Sequence, residues 1–197
     1  AFLNRYYGIS RHFYDVTRKY YLFGRDVVLR ELLAEPWGSL VEVGVGTGRN
    51  LRRLHTARPE ALLGGLDASD AMLAHVRARA PWARLQQGFA EDADLVALLG
   101  GRRPDRVLFS YCLSMVSDPV AALGNARRAL APGGRVVVVD FSDLEGLPSL
   151  ARHGLRRWLT AFHVTPLAGA VLDGVGARVR HGLGRYYVIG ELDAPPG

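Results

Sequence analysis

Residues 41–50 read VEVGVGTGRN. The run Leu40–Val43 predicts a strand, Gly44, Gly46 and Gly48 a tight turn, and the pattern that follows a helix from about Thr47 to Ala57. Glycine is needed where a backbone turns sharply or where a ligand lies against it. In open α/β sheets that place, beyond the carboxyl ends of the first strands, is where ligands bind. The spacing is G-x-G-x-G, not the G-x-G-x-x-G of dinucleotide folds, and no Lys-Ser/Thr pair follows as in a phosphate loop. Glu42 would set a carboxylate against a pyrophosphate, but it suits a ligand bearing an ammonium or sulfonium. Asp67, 19 residues after Gly48 and at the end of the next predicted strand, can accept both hydroxyls of a ribose.

Outward from this turn, short β-branched runs alternate with helical patterns. Ala61–Leu66 predicts a strand ending at Asp67, and Ser69 caps a helix to about Ala80. Arg84–Gly88 predicts a weak strand, Asp92–Leu99 a helix and Asp105–Ser110 a strand. Asp118 and Pro119 read as N-cap and first position of a helix to Leu130, and Arg135–Phe141 is the most apolar strand. The rhythm predicts an α/β, doubly wound, mostly parallel sheet with helices on both faces. Beyond Phe141 a helical insertion is expected over 144–175. Arg185–Leu192 closes the chain as a strand, in a hairpin with residues near 177–182.

A chain of 197 residues with 49% hydrophobic and 22% charged residues has the composition of one globular domain, 1–197. No run approaches the roughly 20 apolar residues of a membrane span. The first residues lack a secretory-signal pattern and Cys112 has no second cysteine to pair with, so the expected location is cytoplasmic. The net charge of +6, carried by Arg except for Lys19, suits a phosphate-bearing or acidic partner. In segment 148–162, Leu150, Leu155, Trp158, Leu159 and Phe162 share one helical face and Arg152, His153, Arg156 and Arg157 another, the pattern of an interfacial helix.

The opening of the chain is unusual. Five of its eight tyrosines lie in the first 21 residues, among Arg11, Arg18 and Lys19. Phe13, Val16, Thr17, Tyr20 and Tyr21 follow a helical period, which Gly24 is expected to break before a second helix from about Arg25 to Leu33. Residues 1–35 thus read as a helical arm ahead of a core at 36–197. The arm is expected to act as a lid, with Tyr14 and Tyr20 toward the ligand and Arg11 and Lys19 outward.

VEVGVGTGRN with Asp67 resembles the S-adenosylmethionine site of class I methyltransferases. Four stretches in order, YDVTRKYYLFGRD, VEVGVGTGRN, SYCLSMVSDP and FHVTP, resemble the methyltransferase component of betaine-lipid synthesis, diacylglycerylhomoserine N-methyltransferase. The resemblance spans about residues 6–190. It implies a Rossmann-like seven-stranded sheet with an antiparallel C-terminal strand, S-adenosylmethionine as cofactor (S-adenosylhomocysteine as product), no metal, and an amine-bearing lipid or small-molecule acceptor. It implies cofactor contacts at Tyr14, Tyr20, Arg25, Glu42, Gly44, Gly46, Gly48, Asn50, Asp67, Ala68, Met72, Phe89, Ala90 and Ser110, with Arg25 meeting the cofactor carboxylate or lipid headgroups. Phe89 stands where related enzymes carry an Asp for the adenine amino group. Either Glu91 or Asp92 substitutes, or the Phe89 ring and Ala90 backbone hold the adenine. Tyr111, His163 and Tyr14 are the candidate bases or amine acceptors, and aromatic faces suit a growing methylammonium.

The lipid reading makes an anionic membrane surface a partner, with peripheral attachment to the inner membrane face. Phosphatidylethanolamine or a soluble small amine is the alternative acceptor. A nucleic-acid methyltransferase would share the charge, but SYCL lacks the Asn/Asp-Pro-Pro-aromatic signature of base-amino methylation, and no nucleic-acid partner is expected. A non-catalytic scaffold would be expected to have lost Glu42, the glycines or Asp67.

Overall fold

The computed structural model describes residues 22–161 and 169–196. The expected arm helix with Tyr14 and Tyr20, and His163, lie outside the described residues. From Phe23 the elements are α1 Phe23–Ala34, β1 Ser39–Val43, α2 Arg49–Ala57, β2 Leu62–Asp67, α3 Asp70–Arg79, β3 Arg84–Gln87, α4 Leu95–Leu98, β4 Arg106–Ser110, α5 Pro119–Ala129, β5 Arg135–Phe141, α6 Ser149–Ala161, α7 Gly169–Gly174, β6 Arg178–His181 and β7 Tyr187–Asp193. The strands form one sheet in the order β3-β2-β1-β4-β5-β7-β6. β1 to β5 are mutually parallel, and β7 runs antiparallel between β5 and β6. The doubly wound sheet with an antiparallel C-terminal strand is thus as expected.

The central strands are β-branched and apolar because both faces are covered. One face carries Leu40, Leu63, Leu108, Val137 and Val139 against α1, α2 and α3, with Leu159 of α6 in the same cluster. The other carries Val41, Val107, Phe109, Val136 and Val138 against α4, α5 and Leu172 of α7. Ser69 caps α3 through the Met72 N–H, and Asp118 caps α5 through the Ala121 N–H with Pro119 in the first turn, as their residue types predict.

Two local expectations are corrected. The helix expected over 92–99 is the single turn α4, because the Asp94 carboxylate accepts from the Val96 and Ala97 N–H groups and fixes its start there. The second helix expected from about Arg25 to Leu33 is α1, Phe23–Ala34, and Gly24 lies within its first turn rather than ahead of it. It is glycine for lack of room, since a Cβ would stand 2.5 Å from Tyr187 Cδ2 and 2.8 Å from Val139 Cγ2. The missing side chain lets α1 lie directly on β5 and β7.

The two ends of the sheet differ in character. At the amino ends of β4 and β5, Glu35 pairs with Arg106 at 3.0 Å and with Arg135 at 3.1 Å, and Arg135 also reaches Glu191 at 3.2 Å. At the carboxyl ends, the loop after β5 is strapped to the turn before β7. Arg185 Nε donates to Asp143 at 2.8 Å, the Leu144 N–H donates to Arg185 O, and that guanidinium holds the Asp143 carboxyl down at about 2.

Helix propensity alone would make Gly24→Ala stabilising by about 1 kcal/mol. The contact with Tyr187 and Val139 reverses the sign, and urea denaturation should show a loss of about 1–3 kcal/mol. A more stable variant would mean that α1 does not rest on the sheet at this distance.

Candidate active site

The chain leaves β1 at Val43 and turns through three glycines with φ of 67°, 53° and 72° at Gly44, Gly46 and Gly48. These are left-handed values that residues with a Cβ rarely adopt. Each glycine meets a different demand. A Cβ on Gly44 would stand 2.5 Å from Cys112 Cβ, so the turn and the loop after β4 touch through bare backbone. A Cβ on Gly48 would stand 2.9 Å from Val76, which packs α3 against the start of α2. A Cβ on Gly46 would meet only the Gly44 carbonyl oxygen, at 3.9 Å, and would otherwise fill the space above the turn. That glycine leaves room for a ligand lying on the backbone.

Asp67, at the end of β2, fastens this turn. One carboxylate oxygen accepts from the Gly46 N–H at 2.8 Å and the other from the Ser69 N–H at 2.9 Å. A carboxylate has about four acceptor sites, so one that holds backbone donors can also accept hydroxyls.

Next to the turn, the sheet buries polar groups without partners. Glu42 is 2% exposed; its Oε1 accepts from Asn50 Nδ2 at 2.6 Å, while Glu42 Oε2 and Asn50 Oδ1 have no hydrogen-bond partner. Ser110 Oγ and Arg25 Nε are also buried without one. The register pairs Glu42 with Leu108, so Ser110, two residues on, points to the same face as Glu42. Asn50 and Arg25 come from the first turns of α2 and α1, which cover that face. Each unsatisfied buried polar atom costs about 1–3 kcal/mol. Four together, donors and acceptors alike, fit a ligand that carries a cationic centre, a carboxylate and hydroxyls. Burial pushes the Glu42 carboxyl up to about 8.

The remaining expected contacts lie around this turn. Ala68 is exposed just past Asp67, and Met72 is buried on α3. Phe89, just beyond β3, is 63% exposed, while Ala90 beside it is buried and its carbonyl accepts from Asn125 at 3.1 Å. Of the two acids considered as substitutes for the adenine contact, Glu91 accepts from the Asp118 N–H at 3.3 Å and Asp92 is exposed.

Tyr111 is the main correction. The sequence placed it at the rim as a candidate base; the structure buries it to 2% exposure in a left-handed conformation, φ 55°. Its N–H donates to Val139 O at 2.7 Å and its ring packs edge-on against Phe141. Its hydroxyl accepts from the Gly24 N–H at 3.3 Å. Burial raises the phenol far above its ordinary range, so it holds its proton and cannot serve as a base at neutral pH. Arg25, first read as cofactor-facing or lipid-facing, is only 9% exposed, which removes the lipid option. Arg25 and Ser110 are both among the expected cofactor contacts; that Arg25 Nε and Ser110 Oγ are buried without a partner is what periodicity does not show.

A groove of about 620 Å³ lined by Pro36, Trp37, Asp105, Arg106, Pro132 and Gly134 opens at the opposite, amino-terminal end of the strands. Open α/β sheets bind ligands at the other end.

The sequence of residues 41–136 matches the family described as "Methyltransferase domain". The chain is 30% identical over 167 residues to a demethylmenaquinone methyltransferase of Thermus thermophilus, covering 82% of this chain and 74% of that one. The chain belongs to the class I S-adenosylmethionine-dependent methyltransferases. A trans-aconitate 2-methyltransferase of Methylobacterium nodulans is 33% identical over 120 residues, 61% of this chain and 44% of that one. The chain spans less than half the length of that relative and of another curated relative, 44% and 42%. An S-adenosylmethionine-dependent methyltransferase from Aquifex aeolicus has the same fold, with a TM-score of 0.62 at 16% identity over 90% of this chain and 93% of that one. The family's cofactor supplies an electrophilic methyl group on a sulfonium, and the open turn and orphaned polar atoms fit it.

Glu42 provides a test of the site's electrostatics in the ligand-free protein. In the fold it keeps its proton to about pH 8, and in the unfolded chain it loses it near 4.5. Between these values the folded state binds the extra proton, so stability falls as pH rises, by at most about 1.4 kcal/mol per pH unit. Glu42→Gln should remove this contribution. Urea midpoints should show wild type losing stability relative to the variant from pH 5.5 to 7.5, and parallel pH profiles would refute the raised pKa.

Proposed function

We propose that this chain methylates an acceptor carried on a membrane lipid, with the amine of a homoserine-headed diacylglycerol as the leading acceptor. The observation that carries this reading is the placement of exposed apolar side chains. Phe23, Phe89, Met115, Val120, Leu150 and Leu183 are the exposed large hydrophobics among the described residues. Each lies at the carboxyl-terminal end of the sheet: in a loop leaving β3 or β4, in the first turn of α1, α5 or α6, or in the turn entering β7. The opposite end carries the Glu35–Arg106–Arg135 ion pairs. Scattered surface apolar residues need no explanation, but their gathering around one mouth does.

Charge supports the same surface. α6 carries Arg152, His153, Arg156 and Arg157 and no acidic residue, beside Leu150, which is 87% exposed. Leu159 and Leu155 of this helix pack on the core, so its contact with the interface of an anionic bilayer would rest on the basic side chains and Leu150. No described helix is long and apolar enough to cross a membrane, so the contact would be peripheral. The side chain of Trp158, and Phe162, expected on the apolar side of this helix, lie outside the described residues.

Amine methylation asks the protein chiefly to hold a neutral amine in line with the methyl group and to exclude water. The aromatic rim would also favour the methylated, cationic product. A second reading, a quinone ring as acceptor, is favoured by the Thermus thermophilus relative and its name, demethylmenaquinone methyltransferase.

Purified chain with methyl-labelled S-adenosylmethionine should label vesicles containing the homoserine lipid, and more weakly or not at all those containing phosphatidylethanolamine. Label appearing with demethylmenaquinone alone would select the second reading, and label on soluble amines or acids alone would end both. In flotation assays the chain should rise with anionic vesicles. Leu150→Asp and Leu183→Asp should each weaken that binding roughly tenfold, the effect of removing one buried leucine from the apolar contact.

A further inference from the structure

α1 begins without a side-chain cap of its own: Leu22 precedes it, its side chain accepts nothing, and its carbonyl accepts from the Arg25 N–H, at 3.3 Å. The opening N–H groups of a helix have no partners within the helix. Here the Gly24 N–H is met by Tyr111 Oη, from a residue 87 positions later. The next residue is Arg25, buried, with Nε lacking a partner. Tyr111 is itself fixed by its left-handed backbone, by the bond to Val139 O and by the Phe141 ring. The following residue, Cys112, lies against Gly44 of the glycine turn and donates from Sγ to Val43 O at 3.0 Å. A continuous path therefore runs from the turn, through Cys112 and Tyr111, to the start of α1 and Arg25.

We propose that Tyr111 is a positioning residue. Its hydroxyl fixes the first turn of α1 so that the Arg25 guanidinium is presented to the carboxylate of the bound cofactor. This rests on reading the site as one for S-adenosylmethionine and gives Tyr111 no contact with the reacting atoms. Three observations agree with it. The strained φ of Tyr111 holds the ring away from the open turn, toward α1. The close seating of Gly24 on Tyr187 and Val139 prevents α1 from sliding to find another cap. The unpaired Arg25 Nε leaves a buried cationic donor for which an anion is the natural partner.

The test compares two ligands by calorimetry. S-adenosylmethionine carries the carboxylate; methylthioadenosine keeps the nucleoside and sulfur but lacks it. Tyr111→Phe should weaken S-adenosylmethionine binding about tenfold, the size of one lost hydrogen bond, and leave methylthioadenosine within about twofold of wild type. Arg25→Gln should show the same split, and the double variant should lose no more than the larger single effect, as for residues acting in series. Equal losses for both ligands would mean that Tyr111 only supports the fold, and unchanged affinities in Tyr111→Phe would remove its role altogether. Turnover lost at unchanged affinity would return Tyr111 to the chemistry. If Tyr111→Phe does not fold, Arg25→Gln with Tyr111 intact still decides, because an equal loss for both ligands contradicts the proposal. A wild type that bound neither ligand would defeat the site reading itself.

Discussion

The carboxylate of Asp67 accepts from the Gly46 N–H on one side and the Ser69 N–H on the other. This clamp joins the loop leaving β1 to the loop leaving β2, across the place where a doubly wound sheet binds its ligand. Its geometry requires the left-handed turn, and the turn requires its glycines. With the turn fixed, Gly44 brings the backbone against Cys112, and the loop after β4 has little freedom left. Tyr111 is then directed toward α1 rather than toward the ligand space. One electrostatic contact between neighbouring strand ends thus reaches, through packing, to the first turn of the helix that precedes β1.

The same arrangement explains why the site holds polar groups that the fold alone does not satisfy. Glu42, Asn50, Ser110 and Arg25 converge from two strands and two helices, and each contributes a buried atom without a partner. At the amino-terminal end Glu35, Arg106, Arg135 and Glu191 bond to one another, and the one buried side-chain atom of these four without a partner is Arg106 Nε. One end of the sheet is held by ion pairs, and the other gathers four unpartnered atoms suited to something that carries charge and hydroxyls. On the proposed lipid reading, the exposed apolar side chains around that end would meet the apolar part of the acceptor.

Much of this was readable in the sequence because it depends on local chemistry. The strands of the parallel core, the caps at Ser69 and Asp118 and the closing antiparallel hairpin were visible in β-branched runs and turn residues. Three features were not, and each depends on a long-range contact. Gly24 looked like a helix break because the reason for it is a pair of residues on β5 and β7. Asp92–Leu99 looked like two helical turns, but the Asp94 cap leaves only one. Tyr111 looked like a rim residue because residues after the fourth strand usually are. Its left-handed φ and its bond to Gly24, 87 residues away, bury it instead. The glycine turn itself was legible since its spacing and the following Asp67 encode its geometry directly.

The central claim is that the turn clamped by Asp67 holds S-adenosylmethionine. The most direct measurement is a calorimetric titration of the purified chain with that cofactor beside Asp67→Asn, which keeps the side-chain shape and one oxygen for the backbone clamp. The account predicts saturable binding to the wild type and a loss of at least about tenfold in the variant, with its circular dichroism unchanged, as expected when a charge-assisted hydrogen bond to a ligand hydroxyl is weakened. Absence of binding to the wild type, or equal affinity in the two proteins, would contradict it.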